Sequence, residues 1–118
     1  MAESIIQQKS KVFAIRVVKF YRYLCEEKKE FVLSKQILRS GTSIGANVRE
    51  SKNAQSPADF INKLNIALKE ADETCYWLEI LLGGEVITQS EYDSIYPDAE
   101  ELVKMLVTTI KSNKAKTN

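Results

Sequence analysis

Residues 36–51 read QILRSGTSIGANVRES, from Gln36 to Ser51. Ile37, Gly41, Ile44 and Val48 step by four, three and four residues, so they share one face of a helix. Lys35, Arg39, Thr42, Ala46 and Arg49 fall on the opposite side. Glycine inside a helix costs about 1 kcal/mol relative to alanine. Two glycines, Gly41 and Gly45, therefore need a reason. A small residue at every fourth position lets a neighbouring helix approach closely, and the steric argument is general. A phosphate-cradling loop is the sharper alternative. It is excluded because no strand precedes the glycines and no Gly-Lys-Ser/Thr follows them. The segment thus predicts a tightly packed helix over about 33–52.

The flanking sequence continues the same period. From about residue 4 to 27 there is no Gly or Pro, and Ile6, Phe13, Val17, Phe20 and Leu24 recur at helical spacing. Ala14, Val18, Tyr21 and Cys25 form a row beside them. The run Glu26-Glu27-Lys28-Lys29-Glu30 is too polar to bury and reads as a connection. Downstream, Ser56-Pro57-Ala58-Asp59 is a helix start. Serine caps free N–H groups, proline suits the first helical position, and aspartate favours the positive end of the helix dipole. The helix that follows, about 57–82, carries Phe60, Leu64, Ala67, Ala71, Cys75, Leu78 and Leu82 on its core face. Gly83-Gly84 is expected to end it in a left-handed conformation. Thr88-Gln89-Ser90-Glu91 is a capping box. It opens a fourth helix, about 88–112, with Tyr92, Ile95, Ala99, Leu102, Leu106 and Ile110 on one face. Pro97 predicts a kink near Asp93–Tyr96 or two consecutive helices. The polar tail from Ser112 is expected to fray.

Four helices with short connections predict an all-α, antiparallel up-down-up-down four-helix bundle, one domain over 1–118. With 118 residues, 44% of them hydrophobic, a core can form without disulfides or metals. No apolar run is long enough to span a membrane. The N-terminal stretch lacks an apolar signal core, so a cytoplasmic protein is expected. In that compartment Cys25 and Cys75 read as reduced thiols. Residues 1–50 carry ten Lys/Arg and five acids, and the rest carries seven and eleven. That asymmetry points either to an anionic partner for the first half or to attraction between the halves, within or between subunits.

The chemistry is sparse. There is no histidine. That removes Ser-His-Asp and Cys-His triads and most zinc sites, together with the Glu-x-x-His pairs of di-iron bundles. Glu70, Asp72, Glu73, Glu79, Asp98, Glu100 and Glu101 fall mostly off the core faces and read as a solvated surface. No enzymatic activity, cofactor or metal is expected. Ile66, Trp77 and Ile80 lie roughly 200–260° around the third helix from Phe60. They predict a second apolar face and a subunit interface.

The segment 36–51 also resembles a family signature, that of the bacterial four-helix bundle proteins first noticed as reading frames inside 23S rRNA intervening sequences. Gln36, Arg39, Ser43, Ile44, Gly45, Ala46, Asn47, Val48 and Glu50 match that pattern in order. Ser56, Asp59, Phe60, Leu64, Ala67 and Glu70 resemble the family's next helix. Pro97 departs from it, because that stretch is usually unbroken. The resemblance implies a bundle and, from relatives, a homopentameric ring. It also implies ribosomal-protein-like proteins and an accessory protein of retroelements that binds reverse transcriptase and RNA. That accessory protein is strongly basic, whereas this chain has a pI near 7.7. Two functions are therefore expected as alternatives. One is an RNA- or ribonucleoprotein-associated module contacting phosphates through Arg16, Lys19, Arg22, Lys28, Lys29, Lys35, Arg39 and Arg49. The other is a protein–protein interaction scaffold without nucleic-acid contact.

Overall fold

The computed structural model describes residues 4–117; residues 1–3 and 118 lie outside the described residues. Four helices form: α1 (Ile5–Glu26), α2 (Leu33–Ser51), α3 (Pro57–Gly83) and α4 (Gln89–Thr117). No strand forms among the described residues. Each helix runs antiparallel to the next, in the ring order α1, α2, α3, α4, and the bundle measures 48 × 22 × 22 Å. The α1–α4 seam is the loosest of the four. It is tied across by Lys9 to Glu101 (2.8 Å) and by Arg16 to Asp98 (2.6 Å). The core runs the length of the bundle through Phe13, Val17, Leu24, Ile37, Ile44, Val48, Leu64, Leu78, Ile95, Leu102 and Leu106.

Local chemistry sets each start. Ser4 and Gln7 exchange hydrogen bonds in a capping box that opens α1. Ser56 accepts from the Asp59 N–H at 3.0 Å, and Pro57 occupies the first turn of α3. Thr88 and Glu91 form their capping box at 3.1 and 2.8 Å. At α2 the cap comes from Glu30, whose carboxylate accepts from the N–H groups of Val32 (2.7 Å), Leu33 (2.9 Å) and Ser34 (3.1 Å). Lys29, at φ 55°, turns the chain so that this carboxylate reaches back over the open helix end.

Three expectations change. The left-handed residue after α3 is Glu85, at φ 61°, while Gly84 stays at φ −82°. The Val86 N–H reaches the Leu81 carbonyl at 2.9 Å and the Glu85 N–H reaches Leu82 at 3.0 Å, the paired closure of a Schellman motif. An L-residue in that conformation costs about 1–2 kcal/mol. Glu85→Gly should therefore raise the melting temperature by a few degrees, read by thermal denaturation. An unchanged melting temperature would show that Glu85 carries no strain. Second, α4 is one helix across Pro97 rather than two. Pro97 itself is exposed, so the Asp93 carbonyl that loses its donor can turn to water, while Ile95, Ala99 and Leu102 hold both sides in the core. Third, the tail from Ser112 continues as helix to Thr117, with the Asn113 side-chain amide donating to the Thr109 carbonyl at 2.8 Å.

A polar pair sits inside the core. The Thr74 hydroxyl lies 2.9 Å from the Ser40 hydroxyl and donates onward to the Glu70 carbonyl at 2.8 Å. Both side chains are fully buried and satisfied, which fixes the α2–α3 register.

A cationic face on helices α1 and α2

The two glycines place this face. A Cβ on Gly41 would lie 2.7 Å from Val17, and one on Gly45 would lie 3.1 Å from the Ser10 carbonyl oxygen. Their absence lets α2 press against α1. The outer rim of that contact is a groove of about 450 Å³ lined by Ala14, Ile15, Thr42, Gly45 and Ala46, with Lys11, Arg49 and Lys52 at its edge. Further along the same side stand the exposed side chains of Arg22 on α1 and Lys35 on α2. Cys25 and Ser34 touch across α1–α2 (3.7 Å), which sets Arg22 and Lys35 at nearly the same height. Lys19 lies one turn from Arg22. One acid shares this side, Glu26, exposed one turn beyond Arg22 on α1. Of the others, Glu27 follows the end of α1, Glu30 caps α2, and Glu50 turns to Lys63 at 3.2 Å.

The eight cations expected to contact phosphates thus divide. Arg16 binds Asp98 and Ser94 on α4. Lys28 pairs with Glu91 at 3.4 Å. Arg39 bridges Glu70 (2.9 Å) and Glu73 on α3. These three neutralise carboxylates within the chain. Lys19, Arg22, Lys35 and Arg49 make no ion pair among the described residues and share the α1–α2 side. Lys29 stands at the α1–α2 corner.

The row Ile66, Trp77 and Ile80 lies on the outer face of α3. Ile66 and Ile80 are each 37% exposed, and Trp77 is half-buried, its Nε1–H donating to Glu73 at 2.9 Å. That hydrogen bond, with Arg39 beside it, holds the Glu73 carboxyl below the usual carboxylate range. Larger apolar exposure lies elsewhere, on α1, where Val12 is 66% and Ile15 52% exposed. The signal was present in the sequence, since Val12 and Ile15 share a helical stripe that lies about 100–160° around α1 from Phe13 and Val17.

No group of three or more His, Cys, Asp or Glu side chains is placed to hold a metal among the described residues. Both cysteines are free thiols. Burial, reinforced by Asp72, Glu79 and Glu100, pushes the Cys75 thiol up to about 11, so it stays protonated near neutral pH. No helix among the described residues is long and apolar enough to cross a membrane.

A four-helix bundle with a cationic face on its first two helices is the class these features define. The model of the 23S rRNA-intervening sequence protein family matches residues 2–108, and the chain belongs to that family. A crystal structure from the S23 ribosomal protein family of Bacteroides thetaiotaomicron, described as a protein with unknown function, is 61% identical. The match covers 91% of this chain and 99% of that one, with a TM-score of 0.89. No curated protein matches.

Proposed function

We propose that the chain is a non-catalytic, self-associating bundle that offers a cationic groove to RNA. The observation that supports this reading is the division of the cations. Arg16, Lys28 and Arg39 serve internal carboxylates, while Arg49 and Lys52 stand at the edge of one groove and make no ion pair among the described residues. Cations not engaged by carboxylates of their own chain attract a polyanion, and binding of this kind releases counterions from the phosphates. No aromatic side chain lines the groove, so base stacking contributes nothing and recognition is of backbone charge and shape. Association of copies multiplies a weak site into a stronger one. The family's connection to 23S rRNA genes agrees with this reading.

The test is binding of structured RNA at low salt by the intact protein and by the double variant Arg49→Glu/Lys52→Glu. The expected result is measurable binding by the wild type and at least about a tenfold loss in the variant. Absence of binding by the wild type in low salt would remove RNA as the partner. The exposed Val12 and Ile15 favour the second reading, a protein-interaction scaffold. A pull-down that returns one protein and no RNA would support it.

A further inference from the structure

The end of the bundle where α1 begins and α2 stops is stepped. Arg16 meets Asp98, which sets the first turn of α1 level with Thr109, and Glu50 meets Lys63, which sets the end of α2 level with Lys63. α3 starts earlier, at Pro57, and α4 runs on to Thr117, so this pair overhangs α1 and α2 by about 10 Å. A cavity of about 510 Å³ lies in the step. Ile6, Phe60 and Met105 form its walls, and Val48 and Leu64, each 1% exposed, form its floor. Phe60 also lines a second hollow of about 300 Å³ with Pro57, Ile61 and Asn113, so the apolar surface continues along the overhang. The polar groups around the cavity are engaged within the chain. Ser4 and Gln7 bond each other in the α1 capping box. The Ser51 hydroxyl donates to the Val48 carbonyl at 2.6 Å, and the Thr109 hydroxyl donates to the Met105 carbonyl at 2.8 Å. The acids at this end are engaged too, Glu50 by Lys63 and Asp59 by the Gln55 N–H at 3.2 Å. Lys52 differs. It is the one charged side chain in the lining among the described residues, it is exposed at the rim, and it makes no ion pair there.

We propose that this cavity binds a monoanionic amphiphile of the fatty-acid class, with its alkyl chain along Phe60, Leu64 and Met105 and its carboxylate at Lys52. A polar ligand body loses its hydration on entry and finds no partner here, because the hydroxyls and the amide of the lining are already bonded. An alkyl chain needs no partner and gains from every methylene it buries. The volume lies within the roughly 300–1,000 Å³ of small-ligand sites, and an apolar lining with one placed charge is their usual make-up. The stem of Lys52 can cover the chain at the mouth while its ammonium stays in water and meets the carboxylate. A cationic head would meet like charge at Lys52, and a doubly charged head would find a single cation. The site lies at the end of the bundle and shares Gln7 and Lys52 with the α1–α2 groove. Its occupancy requires no RNA.

The intact protein, without RNA, is titrated with dodecanoate, dodecanol and dodecylammonium below their micelle concentrations, by calorimetry and by methyl NMR. Dodecanoate should bind best and dodecylammonium at least about fivefold more weakly, with dodecanol between them. Dodecanoate should shift the methyl resonances of Ile6, Val48, Leu64 and Met105 and leave those of Val12 and Ile15 in place. Lys52→Glu, at an exposed position, should reverse the order of dodecanoate and dodecylammonium. Met105→Trp, which narrows the cavity, should weaken dodecanoate at least about tenfold, with circular dichroism confirming the fold. Thr109→Trp makes the same test from a half-buried position if Met105→Trp does not fold. Absence of dodecanoate binding by the folded wild type would overturn the site. Shifts centred on Val12 and Ile15 would show adsorption to the exposed surface of α1 and overturn it as well. An order unchanged in Lys52→Glu would overturn the ligand class. Binding to phosphatidylglycerol vesicles without binding of dodecanoate would assign this end to a membrane surface and overturn the free ligand.

Discussion

Gly41→Leu is expected to unfold the bundle or cost more than about 3 kcal/mol, measured by denaturant titration. The Cβ alone would stand 2.7 and 2.9 Å from the two Val17 methyl carbons, and Val17 is fully buried with no room to withdraw. Overpacking of this kind typically costs about 1–3 kcal/mol and occasionally more, and leucine adds three further carbons beyond the clashing Cβ. Gly41→Ala separates two opposing effects. Helix propensity favours alanine by about 1 kcal/mol. The clash with Val17 outweighs that, so a net loss of about 1–2 kcal/mol is expected. Val17→Ala on its own leaves a cavity and costs about 1–3 kcal/mol. The double variant should lose clearly less than the sum, a coupling of about 1 kcal/mol or more. Additive losses would mean that Gly41 is not where the two helices press together. Gly45 is held by backbone instead, since its nearest neighbour is the Ser10 carbonyl. No side-chain change on α1 should rescue Gly45→Leu.

The second large effect is at Glu91. Its carboxylate accepts the Tyr23 hydroxyl, closes the capping box with Thr88, and faces Lys28 at 3.4 Å. One side chain thereby joins the α1 corner to the start of α4. The Tyr23 hydrogen bond, followed by the Thr88 N–H, lowers its pKa to about 2. A carboxyl whose folded pKa lies below its unfolded value contributes stability above the unfolded value. That stability is lost as the pH falls toward the folded one. The window here runs from about pH 4.5 down to about pH 2. The side chain is about a quarter exposed, so solvent screening reduces the effect to about 1–2 kcal/mol. Glu91→Gln should cost about that amount at pH 7 and flatten the acid limb of a stability–pH curve. An unchanged acid limb would show that Glu91 is not the group responsible.

Much of the fold is legible in the chain itself. Ile37, Gly41, Ile44 and Val48 lie in the core as their spacing implies, and Ser56-Pro57 and Thr88–Glu91 start the helices they mark. Two kinds of information were harder to read. Gly83-Gly84 names a turn, but which residue takes the positive φ depends on where Val86 and Ile87 must enter the core, and that places Glu85 there. Pro97 breaks local hydrogen bonding, yet Ile95, Ala99 and Leu102 pack on the core from both sides and carry the helix through. The site was harder still. Helical period says that Arg16, Lys28 and Arg39 face away from the core. Their carboxylate partners are 82 residues away for Arg16 and 31 and 34 for Arg39, and spacing within one helix cannot reveal them. The remaining cations gain meaning only once those three are subtracted.

The measurement that tests the functional account most directly is the salt dependence of binding to a structured RNA by the intact protein. With about three phosphates neutralised at the Arg49–Lys52 groove, affinity should fall about thirtyfold between 50 and 200 mM salt. The Arg49→Glu/Lys52→Glu variant should give a visibly shallower slope. A wild-type affinity that is flat with salt, or a slope unchanged by that substitution, would contradict the assignment of this groove to RNA.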